Sequence, residues 1–378
     1  GATIARCERS IGRLPPSGGA ANYRRSDDDT PQRDPPPAEQ KELVAGTGAW
    51  GRRRPDLGHR EKLARPAQCT IPEYGRRVVA RGAAHARPGH RDIDHRAAPR
   101  PRPRPPSHAT AFDAIEQLEQ AISLYRSDSQ ICQLNQSGVV KDPHPDLLAL
   151  LDYAARISRA SDGAFDITVQ PLWNLFAEAK RRSALPGEAA ILDARQRVDW
   201  RKVSVTDRQV RLGEGMAITL NGIAQGFAAD RLVAILRNYG IEHALVNAGE
   251  IATIGTKEHG KPWAAGVQHP RRPDAYIALV ALEGRSMSTS GDYATAFSDD
   301  LAYNHVFDPG TGRSPTLFSS VSVVAPTATQ ADALSTAIFV LGVEKGLQLA
   351  RATPGTDAML VLKDGQVLAT KGFPQVAA

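Results

Sequence analysis

I-T-L-N-G-I-A-Q-G-F-A-A-D, from Ile218 to Asp230, runs a short apolar strand pattern into an Asn-Gly turn and then into a helix with Gly226 in its first turns. Helix N-termini carry unpaired N–H donors and a partial positive charge, and glycine removes the side chain that blocks close approach. This layout brings backbone N–H groups against a phosphate. An ordinary strand-to-helix turn has the same wording, and the stretch alone leaves both readings open. Upstream, V-S-V, V-R-L and M-A-I-T-L between Val203 and Leu220 alternate as short strands do, with Gly213 and Gly215 at a turn. Downstream, Ile223, Phe227, Leu232, Ile235 and Leu236 keep a helical period, and Gly240 suits the position just past its end.

Farther out, Phe112, Ile115, Leu118 and Ile122 predict a helix ending near Tyr125, followed by a polar loop to Gly138. A second helix is expected over about residues 146–158. Asp162-Gly163 reads as a turn, and Pro171 suits the first turn of a third helix. Strands are expected at 244–246, 251–254, 263–267, 276–282, 286–289 and 321–324. A capped helix follows Pro326 and ends before Gly342, and a hairpin closes the chain around Asp364-Gly365. Helices first and strand runs later predict an α+β fold with mixed or antiparallel sheets.

Charge divides the chain. Of 47 Lys+Arg and 41 Asp+Glu, residues 1–107 hold 22 and 12, which leaves 25 basic and 29 acidic residues for the rest. The overall charge of +6 therefore belongs to the N-terminal segment. That segment contains P-P-P at Pro35 to Pro37, R-R-R at Arg52 to Arg54 and R-P-R-P-R-P-P from Arg100 to Pro106, with almost no apolar periodicity. It is read as a disordered or aberrant extension, ahead of a folded domain over 108–375. Tyr23, Trp50 and Tyr74 are too few aromatics for a base-stacking arm, so no nucleic-acid partner is expected. Cys7, Cys69 and Cys132 are too far apart for a C-x-x-C site. No clean signal peptide is visible, and no apolar run approaches the roughly 20 residues of a membrane span.

Three candidate clusters carry chemistry. Thr327 and Gln330 form a capping box that opens a helix with Asp332 in its first turns, and Ser335 and Thr336 share its face at i+3 and i+4. Carboxylate, hydroxyl and carbonyl oxygens are the hard donors that Mg²⁺ takes, although acids beside hydroxyls are also common on solvated faces. In Y-N-H-V-F-D-P-G-T-G-R-S-P, His305 supplies a titratable base and Asp308 a second carboxylate on a Pro-Gly turn, a structural histidine being the alternative. Asp166 in S-D-G-A-F-D-I-T-V-Q-P-L reads first as a cap.

Taken in order, these motifs resemble the ApbE-type FAD:protein FMN transferases over about residues 110–370. S-L-Y from Ser123 through Asn135 is similar to the family's S-T-Y-x-x-x-S-x-I/L-x-x-x-N, and Gly163 to Leu172 to its G-A-F-D-I-T-V-x-P-L. Thr219 to Asp230 is similar to D-L-G-A-I-A-K-G-Y-A-x-D and Asn247 to Ile251 to N-x-G-G-D-I. Thr289 to Tyr293 is similar to T-S-G-D-Y, His305 to Gly312 to H-I-I-D-P-x-T-G, and Ala331 to Ala337 to A-D-A-L-x-T-A.

The resemblance implies a T-fold-related flavin transferase. Such an enzyme uses FAD and Mg²⁺, attaches FMN to a Thr or Ser of a partner flavoprotein subunit, and releases AMP. It implies flavin-nucleotide positions at Tyr125, Ala164, Phe165, Asp166, Thr219, Gln225 and Val306. It further implies metal positions at Gly222, through its carbonyl, and at Asp332, Ser335 and Thr336, with His305 and Asp308 catalytic. A membrane-bound electron-transfer acceptor and a periplasmic or membrane-associated location follow by the same resemblance. The wording T-L-N-G-I-A-Q-G is similar to the NosX-like branch. Thr219 stands where the family commonly has Asp, Gln225 where it has Lys, and Ser335 where it often has a second Asp. The family's Met-Gly-Thr strand has no clear counterpart, the nearest text being G-T-G-A-W at 46–50. A flavin-binding scaffold without transfer and a Mg²⁺-dependent FAD pyrophosphatase are the alternatives.

Overall fold

The computed structural model describes residues 108–376, and the readings placed on residues 1–107 lie outside them. Helices α1 (His108–Ile122) and α2 (Gln130–Ser137) lead into β1 (Val139–Lys141) and α3 (Pro145–Ala160). A 3-10 turn at Ile167–Val169 feeds α4 (Gln170–Arg181) and α5 (Glu188–Arg195). A second 3-10 turn at Trp200–Lys202 precedes β2 (Ser204–Val205), β3 (Gln209–Arg211) and α6 (Ala224–Asn238). Then come β4 (Ala244–Asn247), β5 (Ile251–Ile254), β6 (Trp263–His269), β7 (Arg272–Leu282) and β8 (Ser286–Gly291). β9 (Phe318–Ala325), α7 (Ala328–Ala352), β10 (Asp357–Leu362) and β11 (Val367–Ala369) complete the described chain, which is the expected α+β class.

Six strands form one antiparallel sheet in the order β11-β10-β9-β8-β5-β4, and β6 and β7 form a separate ribbon. Every residue of β9 is buried, because both faces are covered. Val321, Val323 and Ala325 join a core with Leu334 and Ile338 of α7, whereas Val324 joins Val280 and Leu282 of the ribbon. Helix α7 is the hub of this arrangement. The Thr327 hydroxyl accepts from Gln330 N at 3.2 Å, as the capping box expects. Asp230, at the end of the opening motif, accepts from Ala328 N and Thr329 N at 2.9 and 2.8 Å. Two helices are thereby locked by one carboxylate.

Several local expectations are corrected. The polar stretch after Asp128 is not a loop but α2, because the Ser129 hydroxyl caps it and Gly138, at φ 73°, ends it. Residues 216–220 are not a strand; no neighbour offers them a ladder. Helix α5 had no strong periodic signal and was not expected. Gly342 does interrupt α7 at φ 79°, but the helix resumes to Ala352. Contrary to the sequence reading, α7 is long and apolar enough to cross a membrane by length and composition. Its burial of Leu334, Ile338 and Phe339 makes it a core helix instead.

Gly226 serves packing rather than open access to a ligand. It is buried where α6 meets α7, and an added Cβ would lie 2.2 Å from the Ala328 carbonyl oxygen and 2.5 Å from its carbon. The nearest atoms are Ala328 backbone and the Asp332 Cβ, at 2.8 Å, and none of them is free to rotate away. Gly226→Ala is expected to destabilise the fold by about 3 kcal/mol, lowering Tm by roughly 6–12 °C in a thermal melt.

Candidate active site

The opening stretch is extended up to Leu220 and then turns into α6, and side chains take the place of a sheet partner. Asn135 holds Ile218 from both sides: Ile218 N donates to its Oδ1 at 2.7 Å, and its Nδ2 donates to the Ile218 carbonyl at 2.8 Å. Thr219 N donates to the Ile167 carbonyl at 2.7 Å, so the segment is tied to the loop carrying Phe165 and Asp166. Ile218, Leu220 and Ile223 are fully buried, while Asn221 and Gln225 face outward. The alternation thus fixes one face in the core and leaves the polar tip free. At that tip the Tyr125 hydroxyl accepts from Asn221 Nδ2 at 3.4 Å, and the Tyr125 ring is 61% exposed. The Thr219 hydroxyl accepts from Asn221 N. Gln225 lies against the β4–β5 turn at Gly249, where φ is 101°.

Three separate segments meet beneath the turn. A Cβ at Gly222 would lie 3.0 Å from Thr336 Oγ1 and 3.4 Å from the Phe165 ring. Gly226 N donates to Asp332 Oδ2 at 2.9 Å, so Asp332 caps the N-terminus of α6 from another helix. Ser335 Oγ lies 2.7 Å from Ser290 Oγ and donates to the Asp332 carbonyl at 2.9 Å, and Ser290 Oγ is 3.2 Å from Thr336 Oγ1. Gly222, Phe165, Asp332, Ser335 and Thr336 are therefore brought together as the motifs imply. Ser288, Ser290 and Glu250 were not singled out by sequence. Ser290 lies in the T-S-G-D-Y wording and Glu250 in the N-x-G-G-D-I wording, neither of which carried a role for them, and Ser288 lies just outside.

The electrostatics favour a cation. Burial pushes the Asp332 carboxyl up to about 7, reinforced by the nearby charge of Asp230. Glu250 is pushed up too, by burial and by Asp332, while a hydrogen bond with Ser288 opposes the shift. Two desolvated carboxylates and the hydroxyls of Ser288, Ser335 and Thr336, the last beside Gly222, form a hard-oxygen donor set short of positive charge. That set fits Mg²⁺.

The remaining positions divide. Ala164 N and Phe165 N are spent on Ser161, and the Phe165 ring is buried. Asp166 uses Oδ1 for Thr168 N and Oγ1 at 2.7 and 2.6 Å, and Oδ2 for Trp200 N at 3.1 Å. It is a cap first, and burial raises its pKa despite those bonds. Asp308 folds back on its own turn, accepting from Gly310 N at 2.8 Å and from Thr311 Oγ1 at 3.0 Å. The Val306 side chain sits in the main core and its N–H donates to Asn304 Oδ1, so it presents only its carbonyl. His305 is partly buried, with its backbone N–H donating to the Thr295 carbonyl and Nδ1 3.3 Å from the same oxygen. Desolvation lowers its pKa below the usual histidine value, and the charge of Asp292 works against that fall. Asp292 is fully buried and accepts from Arg271 Nη1 and Nη2, each at 2.7 Å. Tyr293 feels both Asp292 and Glu250, and its phenol is raised mainly by burial. The β8 end thus links the His305 region to the Asp332 cluster.

Comparison with known proteins points to one family. Residues 92–360 match the model of the ApbE family. An FAD:protein FMN transferase of Treponema pallidum is 36% identical over 289 residues, covering 69% of this chain and 78% of its own. That of Salmonella typhimurium is 34% identical over 281 residues, covering 70% and 79%. The apo crystal structure of the Pseudomonas stutzeri flavinyl transferase ApbE superposes with a TM-score of 0.62 at 32% identity, covering 70% of this chain and 85% of its own. A match of this length spans every segment that converges on Asp332, and the chain belongs to the ApbE family.

Proposed function

We propose that this protein transfers FMN from FAD to a Thr or Ser hydroxyl of a partner protein, with Mg²⁺, and releases AMP. The observation that carries this reading is the convergence of Gly222, Asp332 and Thr336, from segments more than a hundred residues apart, under the turn that opens α6. Its relatives are named for the same transfer.

Phosphoryl transfer asks for alignment and charge neutralisation more than for covalent help. The Asn221-Gly222 turn seats the pyrophosphate, with Tyr125 and Phe165 beside it, while the α6 N-terminus behind it is capped by Asp332. Asp332, Ser335, Thr336 and the Gly222 carbonyl would hold Mg²⁺, which when bound offsets the charge of the phosphates. His305, neutral because it is desolvated, takes the proton of the acceptor hydroxyl. The acceptor oxygen bonds to the FMN phosphorus as the bond from that phosphorus to the AMP oxygen breaks. Thr219 and Gln225 replace an acid and a lysine of the family pattern together, which conserves the local charge.

The family resemblance supports an acceptor that is a flavoprotein subunit of a membrane-bound electron-transfer protein, met in the periplasm or at the membrane. The test is incubation of the protein with FAD, Mg²⁺ and a Thr-bearing acceptor, followed by a denaturing gel. A flavin-fluorescent acceptor band is expected, dependent on Mg²⁺. AMP and free FMN appearing without acceptor would make the protein a pyrophosphatase, and bound FAD with neither product would make it a flavin-binding scaffold.

A further inference from the structure

The T-S-G-D-Y motif ends β8 with a carboxylate, Asp292, that is fully buried and must therefore be paired. Arg271 of the β6–β7 turn donates to both of its oxygens at 2.7 Å, and to Ser319 Oγ at 3.0 Å. Lys363, just past β10, stands 3.5 Å from Asp292 Oδ2. One cation balances the carboxylate, so the second points to a further task.

The segment between these contacts carries His305. It leaves β8 at Asp292 and forms a small hairpin before β9, with Ala296 bridged to Asn304 and His305 N donating to the Thr295 carbonyl at 2.9 Å. Lys363 holds this segment at three points. Its ammonium meets Asp292 at the start and donates to the Leu301 carbonyl, near the tip, at 2.9 Å. Its backbone N–H donates to the Leu317 carbonyl at the return, at 3.1 Å. Leu301 has φ 59°, a left-handed conformation that leucine keeps only where its surroundings impose it. The hairpin also orients the ring. His305 Nδ1 lies 3.3 Å from the Thr295 carbonyl, which can only accept, so Nδ1 carries the hydrogen and Nε2 is the free base.

We propose that Arg271, Asp292 and Lys363 form one positioning unit for His305: the cations close its loop on the buried carboxylate, whose charge offsets the imidazolium formed when Nε2 takes the acceptor's proton. This role rests on His305 being the base of the transfer proposed above. The other charged groups of this region act elsewhere. Asp300 is exposed and feels Lys363, Asp308 is turned onto its own backbone, and Glu250 acts on Tyr293. Asp292 is the one whose charge lifts the His305 pKa against desolvation.

An NMR titration of the His305 ring, its signal identified by loss in His305→Ala, tests the charge without any transfer. Asp292→Asn keeps an oxygen for Arg271 and should lower the His305 pKa further, whereas Lys363→Met should not lower it. A loop that merely loosened would hydrate the ring and move both variants up toward the ordinary value, and that result overturns the unit. The clamp is read by hydrogen exchange, which does not depend on the buried substitution. Exchange over residues 293–305 should quicken about tenfold in Lys363→Met and recover in Lys363→Arg, whose fork spans the same two oxygens. Unchanged exchange in Lys363→Met overturns the clamp. In the flavinylation assay, Lys363→Met should lower kcat about tenfold or more with FAD affinity kept, and an equal loss of affinity counts against positioning. If the wild-type protein transfers no FMN, the transfer reading fails, while titration and exchange still decide whether Asp292 and Lys363 set His305.

Discussion

Asp332→Ala is expected to lower FMN transfer by about 10³-fold or more and to remove its Mg²⁺ dependence, since an electrostatic anchor at a transferring phosphoryl group carries several kcal/mol of the barrier. The substitution also removes the acceptor for Gly226 N, now bound at 2.9 Å. Loss of a helix cap costs about 1 kcal/mol, so a melt must accompany the assay. Asp332→Asn separates the two effects. It keeps an oxygen for Gly226 N and relieves the repulsion from Glu250 and Asp230, so metal-free protein should melt at or above the wild-type temperature. Its transfer should nonetheless fall as far as that of the alanine variant. Full activity in Asp332→Asn would show that the charge is not needed, and the metal assignment would be lost.

How far this site was legible follows from what kind of signal each residue gives. Asp332, Ser335 and Thr336 follow from helical spacing after a capping box, because i+3 and i+4 positions share a face by geometry alone. The strands from β4 to β10 follow from apolar runs, and β9, buried on both faces, is the clearest. Residues 216–220 misled because alternation reports burial of one face and not a ladder. Asn135, more than eighty residues away, makes the bonds a neighbouring strand would make. Gly226 misled for a related reason. A glycine at a helix start reads equally as access for a ligand or as room for another helix, and only the position of Ala328 decides. Glu250, in the β4–β5 turn, and Ser290, on β8, reach the cluster through tertiary packing, which no local pattern encodes.

His305→Ala should lower transfer by about 10²–10⁴-fold while changing FAD affinity, measured by quenching of flavin fluorescence, by no more than about threefold. The reason lies in how the residue is held. Its backbone N–H makes the firm bond to the Thr295 carbonyl and survives substitution, whereas the ring makes only a 3.3 Å contact to that oxygen. Removing the imidazole therefore deletes a base without unseating the loop. Equal losses of transfer and of affinity would instead mark a structural histidine.

The pH dependence carries the same assignment further. Desolvation holds the folded pKa of His305 below 6.5, so with Mg²⁺ saturating and Asp332 thereby kept ionised, the ring stays neutral and transfer stays level from alkaline pH down to that value. Activity should fall only below it, as the base is protonated. Stability should follow with the same sign. Between the lowered folded value and the unfolded value near 6.5 the unfolded chain binds the extra proton, so stability contributed by the neutral ring is lost as pH falls through this window. His305→Ala should remove that part of the slope. A variant whose stability profile matches wild type across the window, or a wild-type activity profile that falls above pH 6.5 even at saturating Mg²⁺, would place the titrating base elsewhere.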